Sequence, residues 1–354
     1  FYDTDAPGQK VQSKDIIGEI ERDPRDALYA AQWRFDLPAS NAEPLDAPGR
    51  PVAHAEFIRC HDVMVGCIDP EPERWRRRHN YYLNCLRDVD RSIVALLDEL
   101  EALGLASNTI IVFTSDHGDI DGAHQLHAKG ATAYREQNTV PLVVVHPAYP
   151  GGKRCKAVTS HLDLAPTFVG LTHGTPEKKA SITRDLPGKD LSFLLAAPEK
   201  ASFDALRDGA LFNYNMLAYL DADFMVRAST LLMEARRNPG SGPARKPADR
   251  LKEAGIRPNL LKRGAIRAVF DGRYMFARYF SPKQHNRPNS IEDLFRFNDV
   301  ELFDLQDDPH QVKNLARDRA RSGDLIVAMN GKLNRLIDRE VGEDVGQMLP
   351  GGIE

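Results

Sequence analysis

The sequence has few cysteines and no long apolar run. Its four cysteines, Cys60, Cys67, Cys85 and Cys155, are scattered over 354 residues, and none stands in C-x-x-C or C-x-x-H spacing. That excludes a disulfide framework and a structural zinc ribbon. No stretch approaches the roughly 18 apolar residues that a membrane span needs. Charge of one sign is lacking too: 47 Lys and Arg against 51 Asp and Glu leave −4. Basic residues do not gather on one segment, so nucleic acid is not the expected partner. There is no internal repeat. The chain opens on Phe1-Tyr2-Asp3, with neither a Met nor a signal peptide, so the expectation is a start that was cut. What remains is ordinary globular material, 42% hydrophobic and 28% charged, enough for two domains at roughly 100–200 residues each.

Residues 1–78 are rich in Pro, Asp and Arg and read as loop with short helices. From Asn80 onward, Tyr82, Leu86, Val89, Ile93, Leu96, Leu97, Leu100 and Leu103 recur at steps of three and four, with charged residues between them. That predicts an amphipathic helix stopped by Gly104. Ile110-Ile111-Val112-Phe113-Thr114 is a short apolar, β-branched run and reads as a buried strand of a parallel sheet. Val140 to His146 predicts a second strand, and Ser160 to Val169 a helix start capped by Ser160 or Asp163. Helix, strand, loop, strand, helix is the grammar of a doubly wound α/β layer. Residues 201–262 are irregular. In 263–354, Asp271-Gly272 between two apolar runs predicts a hairpin, Glu301 to Leu305 a further strand, and 319–340 a last amphipathic helix.

Chemistry concentrates at Thr114-Ser115-Asp116-His117-Gly118-Asp119, at the carboxyl end of the first strand, where ligands of open α/β sheets bind. Asp116 and His117 side by side, with Gly118 for a sharp turn, can both address one cation. The carboxylate suits Ca²⁺ or Mg²⁺, and the imidazole tilts the site toward Zn²⁺ or Mn²⁺. The plain alternative is a turn in which Asp116 binds backbone amides and His117 is merely exposed. The glycine-bounded loop 122–130 then carries His124, His127 and Lys129. A lysine beside a metal would hold a tetrahedral oxyanion such as sulfate or phosphate, whereas by themselves such residues are more often solvated. Arg76-Arg77-Arg78-His79 reads as a solvated charge run, and Asp163 as a helix cap.

These segments, in this order, resemble the sulfatase family of the alkaline phosphatase superfamily. The resemblance rests on Asn108 to Gly118, Lys129-Gly130, Tyr134, Glu136 and Val140-Pro141-Leu142, on Asp163-Leu164-Ala165-Pro166-Thr167, on Pro187-Gly188-Lys189-Asp190-Leu191, and on Glu301 to Leu305 with Asp308-Pro309 and Asn314-Leu315-Ala316. It spans about residues 37–320. It implies an α/β fold with a mostly parallel central sheet flanked by helices and a smaller C-terminal antiparallel β/α domain. The division would be a catalytic part at 1–200, an insertion or linker at 201–262 and a C-terminal subdomain at 263–354. It implies hydrolysis of a small-molecule or saccharide sulfate ester around one divalent cation, most commonly Ca²⁺. Asp116 and His117 would be metal ligands, Lys129 the group that binds sulfate and assists the leaving oxygen, and His124 and His127 further substrate contacts. The family's nucleophile, a formylglycine in C/S-x-P-S/A-R, matches none of the four cysteines, and the first Asp-Asp metal pair is missing. The expectation is therefore a C-terminal fragment, inactive alone. The alternatives are a phosphoester or phosphonate hydrolase of the same superfamily and a non-catalytic binding protein.

Overall fold

The computed structural model describes residues 36–64, 72–215, 217–237, 246–347 and 349. Expectations that concern Phe1 and Cys67 lie outside these described residues. In chain order the regular elements are α1 (Val52–Met64), α2 (Pro72–Ala102), β1 (Ile111–Thr114), the single turn α3 (Arg135–Asn138), β2 (Leu142–Val145), α4 (Leu164–Leu171), α5 (Pro176–Thr183), β3 (Ala210–Tyr214), α6 (Ala222–Arg237), α7 (Pro247–Glu253), β4 (Ala265–Phe270), β5 (Tyr274–Phe280), α8 (Ile291–Phe297), β6 (Asn298–Asp304) and α9 (Arg319–Glu340).

The expected hairpin is present. β4 and β5 pair antiparallel around Asp271-Gly272; Gly272 takes φ +99°, and the Asp271 carboxylate accepts from the amides of Arg273 and Tyr274. β6 pairs with β5 and β3 with β4, giving an antiparallel sheet in the order β3-β4-β5-β6. Strand alternation divides its side chains between two layers. Val269, Phe276, Val300 and Leu302 pack with Ile326, Met329, Leu333, Leu336 and Ile337, the inner stripe of α9. Ile266, Ala268, Met275, Ala277, Tyr279 and Phe303 pack on the other side with Ala53 and Phe57 of α1 and with Ile120, Leu126 and Tyr134. The loop that bears Lys129 thus rests on the sheet through α1. Residues 201–262 are more regular than their composition predicted: they supply β3, α6 and α7.

Two expectations need correction. Among the described residues β1 is not a parallel strand buried on both faces: it pairs there with β2 alone, antiparallel, Ile111 opposite Val145 and Thr114 opposite Leu142. The connection, residues 115–141, is long enough for a crossover, but it folds into the Asp119–Gly130 loop and the single turn α3 instead of a helix packed on the sheet. Phe113, Val143 and Val145 are 43%, 50% and 52% exposed. α2 begins at Pro72, earlier than Asn80, and its apolar stripe does not close onto the described residues: only Trp75 and Asn84 are buried, while Leu96 is 69% exposed. Gly104, at φ +69°, follows its end as predicted.

Candidate functional site

β1 delivers Asp116 and His117 two and three residues past its last residue. The Asp116 carboxylate accepts from the His117 amide at 2.9 Å, so the turn of the plain alternative does form. The imidazole adds more. His117 Nδ1 lies 2.9 Å from the Gly118 carbonyl, which makes it the N–H of the ring and leaves Nε2 as a lone pair. That lone pair stands 3.2 Å from Asp116 Oδ2 and accepts from the Lys129 ammonium. Two acceptors and one cationic head therefore meet at one point, on a rim where the Asp116 side chain is 83% exposed.

Gly118 is needed here for close approach rather than for a turn. A Cβ built on it would lie 1.9 Å from the Glu136 carbonyl oxygen. The Gly118 amide donates to the Gln137 carbonyl at 2.8 Å, tying the Asp116–His117 turn to α3.

The loop from Asp119 to Gly130 folds back on itself, which closes the twelve-residue gap between His117 and Lys129. The Ile120 amide donates to the Ala128 carbonyl and that of Gly122 to the Leu126 carbonyl. Asp121, His124, Gln125 and Ala128 all have positive φ, between 40° and 59°. Each such non-glycine residue carries strain of order 1–3 kcal/mol, of the kind that gathers at functional sites. Side chains from before and within α3 hold the loop down. Asn41 Nδ2 donates to the Gly122 carbonyl at 2.7 Å, Arg50 to the His124 carbonyl at 2.6 Å, and the Gly130 amide to Gln137 Oε1 at 2.7 Å.

His124 and His127 lie inside. His124 is fully buried, stacked 3.5 Å from the Tyr134 ring, with Nδ1 on Glu43 at 2.9 Å. Burial lowers its pKa against the pull of Glu43. His127 is 2% exposed and meets His61 edge-on, and burial pushes it down to about 2. Lys129 and Asp116 are exposed and His117 half-buried, so the structure brings these three together and sets the two loop histidines behind them.

Three features escaped the sequence reading. Arg78 and His79 are not solvated: both lie against Asp121, at 3.2 and 3.6 Å. Burial pushes Asp121 up to about 6. The alternation Asp119-Ile120-Asp121, with Ile120 buried, was the available signal. Behind the loop sits Glu301, fully buried, accepting from Tyr134 at 3.1 Å and Tyr279 at 2.7 Å. Tyr279 Oη also accepts from the Ala133 amide and lies 3.2 Å from His54 Nε2. The third is a cluster of His61, Asp62 and His127. Ser160 caps the turn that leads into α4, and Asp163 completes the capping box by accepting from the Ser160 amide rather than capping α4 itself; Arg207 grips the same carboxylate. His161 Nε2 lies 2.8 Å from the Ser115 carbonyl.

As a holder of a divalent cation, the Asp116–His117 pair fits in part. Its two acceptors converge, although Lys129 already donates to His117 Nε2 and would have to turn aside. Ca²⁺ takes about six to eight oxygens, and no third His, Cys, Asp or Glu donor joins the pair among the described residues.

Comparison with known proteins gives the same family that the motifs suggested. The sulfatase family profile matches residues 2–175. An ulvan-active sulfatase of Formosa agariphila is 34% identical over 213 residues, covering 56% of this chain and 40% of that protein. An N-acetylglucosamine-6-O-sulfatase of Bacteroides thetaiotaomicron is 33% identical over 134 residues, 38% of this chain and 23% of its own length. Among solved structures, a phosphonate monoester hydrolase of Silicibacter pomeroyi aligns with a TM-score of 0.60 at 20% identity, covering 89% of this chain and 53% of that one. That last likeness concerns the fold alone. The chain spans about half the length of this solved relative, and its matched segments span less than half of the two sequence relatives.

Proposed function

This chain belongs to the sulfatase family, and on that premise we propose that Lys129, Asp116 and His117 serve the hydrolysis of a sulfate ester, with a saccharide sulfate as the first candidate substrate. The observation that carries the proposal is the meeting of the Lys129 ammonium with His117 Nε2 beside Asp116, across twelve residues of sequence. An exposed ammonium fixed there binds an equatorial sulfate oxygen and stabilises charge as it builds on the leaving oxygen. Asp116 and His117 would supply two ligands of a divalent cation, Ca²⁺ in first place, completed by donors from outside the described residues. Bound there, such a cation supplies Lewis acidity toward the sulfuryl oxygens. His124 and His127, being buried, support the lysine loop rather than touch the ester. The name of the Bacteroides relative, an N-acetylglucosamine-6-O-sulfatase, supports the saccharide class.

None of the four cysteines precedes x-P-S/A-R. The serine that does, Ser241 in Ser241-Gly242-Pro243-Ala244-Arg245, lies outside the described residues and follows Lys129 in the chain, whereas the resemblance implies a nucleophile that precedes Asp116. The proposed nucleophile, a formylglycine, therefore comes from beyond these 354 residues. The open apolar side chains of α2, β1 and β2 support this, since such surfaces in an α/β layer pack against further sheet and helix. The test has two arms. The 354-residue chain with added Ca²⁺ releases no sulfate from 4-nitrophenyl sulfate or N-acetylglucosamine-6-sulfate; turnover by it would overturn the external nucleophile. In a protein that also carries the nucleophile motif, Lys129→Ala lowers kcat by about 10²–10³, the cost of losing one group that stabilises developing negative charge. An unchanged kcat there rejects the assignment of Lys129, and faster release from a phosphonate monoester than from any sulfate ester rejects the substrate class.

A further inference from the structure

The C-terminal end of α1 and the lysine loop bring together two imidazoles and a carboxylate that the proposed chemistry does not use. His61 and Asp62 are successive residues of α1, and His127 lies two residues before Lys129. One donor atom of each lies within 4.8 Å of the other two. His61 and His127 are 5% and 2% exposed, with their rings edge-on at 4.0 Å between centroids. His127 Nδ1 and Asp62 Oδ1 are both buried and meet no hydrogen-bond partner among the described residues. Leaving one such group unmet costs ~1–3 kcal/mol, so two of them side by side call for something between them.

We propose that His61, Asp62 and His127 bind one divalent transition-metal ion of the Zn²⁺ type, which fastens the loop carrying Lys129 to α1. Two imidazoles with one carboxylate favour zinc over Ca²⁺ or Mg²⁺, which take mostly oxygen ligands. Tetrahedral ligands bonded to zinc at ~2.0–2.1 Å stand about 3.3 Å apart. The three donors lie within 4.8 Å of one another, so the site would have to close by up to about 1.5 Å to reach that spacing. Three protein ligands leave the fourth position to water. The trio shares no residue with Asp116, His117 and Lys129, so the two cation sites are separable by substitution. An ion bound only by the folded chain also stabilises it, in proportion to the logarithm of the metal concentration.

The test is a titration of the metal-stripped 354-residue chain with Zn²⁺ alone, in competition with a chromophoric chelator, and a parallel titration with Co²⁺ read by its visible absorption. The expected result is one tight Zn²⁺ per chain and a four-coordinate Co²⁺ spectrum. Asp62→Asn and His127→Gln each weaken binding at least tenfold, and Asp116→Asn leaves it unchanged. Because His127 is buried and its replacement can disturb the fold, half-buried Asp62 carries the decision, with far-UV circular dichroism confirming that the variant is folded. No zinc bound by the folded chain overturns the proposal. So does binding that Asp62→Asn leaves intact, or binding lost with Asp116→Asn instead.

Discussion

Replacing Glu301 by Gln should make the protein more stable above neutrality and less stable below about pH 4.5. Glu301 is fully buried on β6, and burial pushes it from 4.5 up to about 7, although the Tyr279 and Tyr134 hydroxyls and Arg50 oppose the shift. Because the folded pKa is the higher one, the folded protein holds the proton more firmly than the unfolded chain. The associated stability is complete below about 4.5 and is lost as pH rises through about 7. At ~1.4 kcal/mol per pH unit, that interval amounts to about 3 kcal/mol by pH 8. Gln removes the titration but returns only one carbonyl oxygen to the two tyrosines, a loss of about 1 kcal/mol. Stability of Glu301→Gln relative to wild type should therefore run from about −1 kcal/mol below about pH 4, through about zero at pH 5, to about +2 kcal/mol at pH 8. His54, His124, Glu43, Arg50, Tyr134 and Tyr279 surround the site and are common to both proteins, so they cancel in the difference. Urea unfolding at four pH values, followed through the buried Trp75, measures it. A difference that stays constant from pH 5 to 8 refutes the reasoning.

Three further outcomes follow. Gly118→Ala forces a methyl to within 1.9 Å of the Glu136 carbonyl; it should cost several kcal/mol, in the range of ~1–3 kcal/mol or more for overpacking, and weaken cation binding at Asp116–His117, both visible in a melt with and without Ca²⁺. Arg207→Met removes the partner of two buried carboxylates, Asp163 and Glu340, and should destabilise by about 3–5 kcal/mol in urea; a cost under about 1 kcal/mol would show that the ion pair is not closed in solution. Lys129→Ala, at an exposed position, should leave the melting temperature within the ±0.5 kcal/mol range of surface substitutions, so that any loss of activity reports chemistry rather than folding.

The sequence made the site legible where function follows local geometry. An apolar β-branched run ending in Asp116-His117-Gly118 places a carboxylate and an imidazole at a strand end, and glycines on either side of Lys129 mark a loop that can return to them. The hairpin at Asp271-Gly272 and the final helix were legible for the same reason, since turn chemistry and helical period are local. Strand direction was not. A short apolar run reads alike in parallel and antiparallel pairs, and the β1–β2 connection, residues 115–141, is long enough for either. The support behind the lysine loop was hidden because its partners are remote: Tyr134 meets Glu301 across 167 residues, and nothing near either one in sequence announces the other. Arg78 and His79 were misread because a charge run resembles solvated surface until Asp121 is folded against it.

The two sides of the site are held by different means. Lys129 sits on a loop whose carbonyls at Gly122 and His124 are taken by Asn41 and Arg50, and the segment that follows it is anchored through Ala133 to Tyr279. Four positive φ values are kept in that loop against their cost, which only a rigid surround permits. Asp116 and His117 extend instead from a two-stranded ribbon with exposed faces, fixed to α3 by the bond from Gly118 to Gln137. Two strands by themselves are marginally stable in water. The ammonium is therefore preorganised within this chain, while the proposed cation ligands, Asp116 and His117, rest on the exposed ribbon. Hydrogen exchange should register this asymmetry: the amides of Ile120 and Gly122, bonded within the loop, should exchange more slowly than those of Phe113 and Val143 in the ribbon. Equal protection of the two sets would mean that the ribbon is as firmly packed as the lysine loop, and the apolar faces of β1 and β2 would then need no further partner.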